Sequence, residues 1–389
     1  MCSSDLTTSF NDAFMRASGD DSPVNSVRTT LSCADVVARA IASSAAWTAS
    51  AVAESEMRVG SDTRVEFTGG MRSVLILGGT GWLGREIARA ILATGDSVTC
   101  LARGVSGAPP EGARLVAVDR GSPEAYGAVR GEWDEVIELS WDTLLVASAL
   151  DALAPAAAHW TLISTCSVYA SNLNVGADET DDLVEPDDLS RYPDAKVAVE
   201  RASAAALGDR LVIVRPGLIA GPGDPSDRFG YWVSRMALVG SAQVLSMETA
   251  DRMSQVIDVR DLAEFTARAR GNAILNAVGH PHSLPDTLER AARTAGFTGD
   301  RREAPDEWLL AHDVDYWMGP RSLPLWLPPE DIAHPQRSNA AYLAAGGSLR
   351  DLDETLRDTL ADELSRGLER PRRAGLERGE ELELLRQMP

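Results

Sequence analysis

The sequence predicts an α/β protein: a doubly wound parallel sheet with a smaller, mainly helical C-terminal lobe. Three observations lead there. From Met71 onward, short apolar runs alternate with amphipathic stretches. The first run leads straight into the glycine-rich Gly78-Gly79-Thr80-Gly81-Trp82-Leu83-Gly84. After Pro216 the alternation loosens, and from Pro285 helical patterns dominate. Strands alternating with helices imply parallel β-α-β units, and continuously apolar strands are those covered on both faces.

Each element follows from its local pattern. Residues 74–77 read as a buried strand and 82–93 as the helix after the glycine turn. Residues 97–102, 114–118 and 135–139 read as the next strands, and 144–153 as a helix. Residues 160–164 form a strand, 193–207 a helix and 211–214 a strand. Beyond Pro216, residues 217–227 are rich in Gly and Pro. Helices are expected at 228–238 and 261–270, with a strand at 256–257 and another at 273–277 that can return to the sheet. A helix at 349–368 carries Leu349, Leu352, Leu356, Leu360 and Leu364 on one stripe.

This divides the chain into a dinucleotide-binding unit at 71–220, its sheet completed by 255–280, and a substrate lobe from 221–254 and 281–389. Residues 1–70 are rich in Ser, Thr and Ala and lack the rhythm. They are expected to be a disordered or non-native extension, with the natural start at Met71 and at most a weak helix over 36–52. The segment at 366–386 mixes charges and reads as a solvated tail.

The net charge of −21 argues against nucleic acid or an anionic membrane as partner. No run of 18 apolar residues exists, so no membrane span is expected. Cys2, Cys33, Cys100 and Cys166 show no metal or redox spacing and read as reduced thiols of a cytoplasmic protein. His280-Pro281-His282 reads as a loop, and no metal is expected. The partner is a small-molecule substrate, and the protein a monomer or homodimer.

Among 37 basic residues, Lys196 is the single lysine. It stands four after Tyr192, so the two share a helix face one turn apart. Lysine supplies a compact ammonium whose pKa can move, which arginine cannot. A cation near a phenol favours phenolate, making the tyrosine a usable acid or base. The ammonium can also hold a ribose hydroxyl. Glu200 continues the same face and reads as a surface partner of Lys196.

Gly78, Gly81 and Gly84 permit a tight turn, a close backbone approach to a pyrophosphate, and helix–strand packing, with Thr80, Trp82 and Leu83 beside the phosphates. This is the Rossmann arrangement for a dinucleotide. Where an acid after the second strand would select NAD, the chain has Arg103, which favours NADP(H) while leaving NAD(H) possible. Asp119 is a candidate for the adenine amino group or for capping a turn.

The glycine turn, Ile163-Ser164-Thr165-Cys166-Ser167-Val168-Tyr169 and Tyr192-x-x-x-Lys196 together resemble an extended short-chain dehydrogenase/reductase. The chain is similar to its NAD-dependent epimerase/dehydratase group. Residues 227–232 and 323–328 resemble a bacterial reductase-like subgroup. The resemblance implies a catalytic hydroxyl at Thr165, with Ser164 and Ser167 as fallbacks. It implies Tyr192 as acid or base, Lys196 as its tuner and ribose anchor, and Pro216, Gly217, Leu218 and Ile219 along the nicotinamide. Leu139 and Ser140 border the cofactor at the end of the fourth strand. Ser140-Trp141-Asp142 replaces a His-Leu-Ala-like segment, so substrate shape is expected to differ. Substrate candidates are Trp141, Ser167, Arg228, Tyr231 and Trp232. Tyr231 and Trp232, with Trp317 and Trp326, form either an aromatic pocket or ordinary core. The reading is an NADP(H)-dependent oxidoreductase acting on a small carbonyl, alcohol or enone. Its rivals are a nucleotide-sugar epimerase or dehydratase with tightly bound NAD, and a non-catalytic dinucleotide sensor.

Overall fold

The computed structural model of the protein describes residues 70–388. Readings placed on residues 1–69, including the weak helix and Cys2 and Cys33, lie outside the described residues.

Seven strands form the central sheet: β1 (Ser73–Leu77), β2 (Ser97–Ala102), β3 (Arg114–Ala117), β4 (Glu135–Glu138), β5 (Trp160–Ile163), β6 (Leu211–Pro216) and, after further elements, β10 (Ala273–Ala277). Their order is β10-β6-β5-β4-β1-β2-β3, with every neighbouring pair parallel. Four helices cover it: α1 (Trp82–Ala93), α2 (Thr143–Leu153), α3 (Tyr192–Leu207) and α5 (Val259–Arg268), the last after α4 (Arg228–Val239). Successive strand residues point to opposite faces. Val74 and Ile76 therefore pack with Ile87, Ile91 and Ala263 of α1 and α5. Leu75 and Leu77 pack with Val146 and Val199 of α2 and α3. All four strand residues are fully buried, each worth about 1.5–3 kcal/mol of apolar transfer.

Between β6 and β10 the chain adds β7 (Leu218–Ala220), α4, β8 (Val244–Met247) and β9 (Met253–Asp258). After β10 come β11 (Pro281–Ser283), α6 (Leu284–Ala295), β12 (Arg301–Ala304), α7 (Asp306–Ala311), α8 (Ala340–Ala344), α9 (Leu352–Arg366) and α10 (Arg378–Gln387). The lobe is thus helical with short strand pairs, and the His280–His282 stretch expected as a loop runs into β11, antiparallel to β9.

Two sequence readings are corrected here. The segment at 366–386 is not a solvated tail. Arg370 bonds to Asp227 and Glu363, Arg372 to Glu363 at 2.6 Å, and the Arg373 N–H to Asp227 at 2.9 Å. Glu381 of α10 is fully buried and accepts from Arg235 and from the Leu245 N–H, both at 3.0 Å. Apart from Glu363, these partners lie more than a hundred residues away, so local charge mixing could not reveal them. Nor is Glu200 a surface partner of Lys196. It is 3% exposed and holds Arg215 through two bonds of 3.0 and 2.6 Å, because its helix face turns toward the sheet.

Candidate active site

A cleft of about 310 Å³ opens at the C-terminal ends of the strands. Ligands of open α/β sheets bind at this edge. Its walls include Trp82 and Leu83, Leu139, Ile163 to Thr165, Ser167, Tyr192, Lys196 and Pro216 to Ile219. The lobe adds Asp224, Pro225, Ser226, Arg228, Trp317 and His334.

The glycine turn is shaped by sterics. Gly78 has φ +103°, a region side chains rarely adopt. A Cβ on Gly84 would lie 2.6 Å from the Gly78 carbonyl oxygen and 2.8 Å from the Gly79 Cα. Gly81 precedes α1 in extended conformation without a side-chain cap, so the first helical N–H groups face outward. Thr80 is buried, and its carbonyl accepts from Arg85 at 2.6 Å. A helix N-terminus with no side chain in front is a receptor for phosphate. The Trp82 indole N–H bonds to the Pro222 carbonyl at 2.8 Å and ties this helix to the lobe.

Tyr192 is the first residue of α3, with Pro193 second. Asp194 accepts from the N–H groups of Asp187 and Asp188 at 3.0 and 3.1 Å, which latches the incoming loop to the helix start. Thr165 and Tyr192 line the cleft together. Thr165 donates to the Ser167 hydroxyl at 3.2 Å and accepts the Ser167 N–H at 3.1 Å. Loss of water around the Tyr192 phenol pushes it up to about 12, opposed by the neighbouring Thr165 hydroxyl and the Arg228 charge. Trp141 meets the Tyr192 ring edge-on at 5.8 Å and is 39% exposed.

Lys196 is 2% exposed. Its ammonium donates to the Ser140 carbonyl at 3.1 Å and the Ile163 carbonyl at 2.6 Å. Burial pulls it down to about 8, against the opposing pull of Glu138 and Glu200. Its Nζ lies 6.0 Å from the Tyr192 ring centroid. Glu138 is fully buried, paired with Arg120 at 2.5 Å, and also accepts the Ser140 N–H at 2.8 Å, so it orients the carbonyl that holds Lys196.

The structure therefore brings together Gly78, Thr80, Gly81, Trp82, Leu83 and Gly84 at the turn. It gathers Leu139, Ser140, Thr165, Ser167, Tyr192, Lys196, Pro216, Gly217, Leu218, Ile219 and Arg228 around the cleft. Arg103 and Asp119 are exposed at the ends of β2 and β3, away from the cleft wall. Tyr231 and Trp232 do not face it. They are 0% and 1% exposed in the lobe core, and the Trp232 indole bonds to the Pro324 carbonyl at 2.7 Å. Trp326 is core as well, while Trp317 lines the cleft. Sequence reasoning missed Asp224, Ser226 and His334. The first two lie in the Gly/Pro-rich stretch already noted, but no spacing marks His334. Burial and the nearby Arg337 and Arg228 charges hold His334 down to about 3, so it is neutral.

The profile of the NAD-dependent epimerase/dehydratase family matches residues 74–276. The chain belongs to that family. It is 30% identical over 251 residues to a 2′-dehydrokanamycin reductase of Streptomyces kanamyceticus, covering 60% of this chain and 70% of that relative. In fold it resembles a putative epimerase from Burkholderia cenocepacia, with TM-score 0.59 and 22% identity over 75% of this chain and 97% of that one. It also resembles the UDP-glucose 4-epimerase of Thermus thermophilus, solved with NAD, with TM-score 0.55 and 20% identity over 75% and 98% of the two chains. The protein is accordingly an enzyme of a family of NAD(P)-dependent oxidoreductases, epimerases and dehydratases. The glycine turn, the uncapped helix start and the buried Lys196 fit a nicotinamide dinucleotide. Among the described residues, no helix is long and apolar enough to cross a membrane.

Proposed function

We propose that the chain is an NADP(H)-dependent oxidoreductase acting on a small-molecule carbonyl or alcohol, enones included. One observation carries this reading: Tyr192 and Thr165 line one cleft with the chain's single lysine, Lys196, which stands one helical turn after Tyr192. When bound, a nicotinamide supplies a hydride to the substrate carbon or accepts one from it. The chain's own residues handle the oxygen. Tyr192 is a neutral phenol at neutral pH and gives its proton to the developing alkoxide in reduction, or takes it back in oxidation. The Thr165 hydroxyl positions that oxygen. Lys196, with two donors spent on carbonyls, keeps a third for a ribose hydroxyl. The cation that pulls Tyr192 down is Arg228, so tuning of the phenol is assigned to Arg228 as well as Lys196.

Arg103 supports NADP(H) over NAD(H), since an exposed guanidinium at the end of β2 suits a 2′-phosphate. Net reduction is favoured over epimerisation by the same residue and by the name of the reductase relative. NADPH is expected to bind the protein more tightly than NADH, and Arg103→Ala to erase the difference. Equal dissociation constants in the unaltered protein, or stoichiometric NAD carried through purification, would overturn the assignment.

A further inference from the structure

The chain carries 58 acidic residues against 37 basic ones, and its buried arginines are matched to them. Arg120 pairs with Glu138 at 2.5 Å, Arg215 with Glu200 at 2.6 Å and Arg235 with Glu381 at 3.0 Å. Arg228 is half-buried and has no such match. Among the described residues no carboxylate oxygen comes within 4.0 Å of it, although it lines the cleft beside Asp224. The Asp224 oxygens are engaged elsewhere, by the Ser226 N–H at 2.8 Å and the Ser226 hydroxyl at 2.9 Å. Arg228 bonds only to Ser226, through its Nε at 3.2 Å and its backbone N–H at 3.4 Å. Its two terminal nitrogens have no hydrogen-bond partner among the described residues. The guanidinium lies over the Trp317 ring, 5.2 Å from the centroid. One flat face is thus covered by an aromatic, and the edge carrying the terminal N–H groups stays available, the arrangement that receives a planar oxyanion through two parallel bonds.

We propose that Arg228 selects the substrate by binding an oxyanion, a carboxylate or phosphate, borne on the same small molecule as the reacting carbonyl. The proposal rests on the reductase reading above and adds its substrate class. Neutral His334 on the same wall brings no second charge, so the selectivity belongs to Arg228. The segment carrying it is clamped from behind. Arg370 bonds to Asp227, and Asp362 accepts the Gly223 N–H at 2.9 Å. The fork therefore meets a ligand already oriented.

The test uses the full chain loaded with NADP⁺ and measures binding of matched probes by calorimetry. Pyruvate is compared with methyl pyruvate, and dihydroxyacetone phosphate with dihydroxyacetone. At least one anionic probe is expected to bind about tenfold tighter than its neutral counterpart, the scale of a charge-assisted bond. Arg228→Gln should bring that ratio close to one while the NADP⁺ affinity and melting temperature stay as they were. Arg228→Lys should keep part of the preference as a point charge. The pair that discriminates identifies which oxyanion the site takes. The idea is overturned if neither anionic probe binds measurably, if both ratios are near one, or if Arg228→Gln keeps the preference. Because binding is read without turnover, a failure to oxidise NADPH would strike the reductase reading and leave this result standing.

Discussion

The two walls of the cleft are held by different physics. The sheet wall hangs on strands whose side chains are apolar and almost wholly buried, with Leu75, Ile76, Ile137 and Leu162 at 0% exposure. The lobe has an apolar core of its own, but the segment it lends to the cleft is fixed from outside by charge. Arg366 bonds to the Asp224 carbonyl at 3.2 Å, Arg370 to Asp227, and Glu363 gathers Arg370 and Arg372 at 3.0 and 2.6 Å. Apolar burial is additive and forgiving of detail. A buried charge cluster is all-or-none, because removing one member leaves the others uncompensated. The cofactor side is therefore expected to be robust, and the substrate side sensitive to residues far from it.

The largest expected effect lies where the walls meet. Lys196→Arg keeps charge and helix propensity, yet the larger fork does not fit between the Ser140 and Ile163 carbonyls. Turnover should fall about 10²-fold or more, the scale of lost acid–base function, with melting temperature as the folding control. Near-normal turnover would remove the chemistry from this site. Next, Glu363→Ala should cost about 1–3 kcal/mol in chemical denaturation, since the half-buried Arg370 and Arg372 lose a charged partner and keep only Asp227. At temperatures where the variant is folded, KM should rise while the NADPH dissociation constant stays put. A weakened NADPH affinity would show that the walls are not separable. Gly84→Ala is the mirror experiment. Its Cβ would sit 2.6 Å from backbone oxygen, so about 1–3 kcal/mol of stability should go, and NADPH affinity with it.

The smallest effect concerns pH. Lys196 is held at about 8 in the folded chain against 10.5 for a free side chain. Between those values the unfolded chain binds more protons, so this residue makes stability rise with pH, by at most about 1.4 kcal/mol per unit. Tyr192 acts oppositely, but only above its ordinary value of 10. From pH 8 to 10 the unaltered protein should therefore gain stability relative to Lys196→Met in parallel denaturant titrations. Parallel curves would show that the lysine is not desolvated.

The same contrast explains what could be read from the sequence. α1, β2 and β10 fall on the residues their periodicity assigned, because one strand or helix reports its own burial through a repeat of two or of 3.6. Tyr192, Lys196 and the glycine turn were legible because each is a local spacing. The clamp around Asp227 and Glu363 was not. An arginine at 370 looks the same in sequence whether it faces water or a carboxylate 143 residues earlier. Glu200 failed for the same reason: its helix position suggested Lys196, while its partner Arg215 lies across a strand boundary. Tyr231 and Trp232 stayed open between pocket and core, and proved to be core, because aromatic composition does not say which side of a helix faces a cavity.

The buried ammonium also equips the protein with a built-in probe. With a single lysine in the chain, growth on nitrogen-15 lysine would place one labelled side-chain nitrogen in the whole molecule, at the floor of the cleft. Its resonance would come free of overlap and follow protonation, dinucleotide arrival and substrate arrival one after another. Reagents that acylate lysine side chains would find one address, reached through that cleft, and a bound ligand would shield it. Occupancy could then be counted from intact mass alone, before any substrate is known.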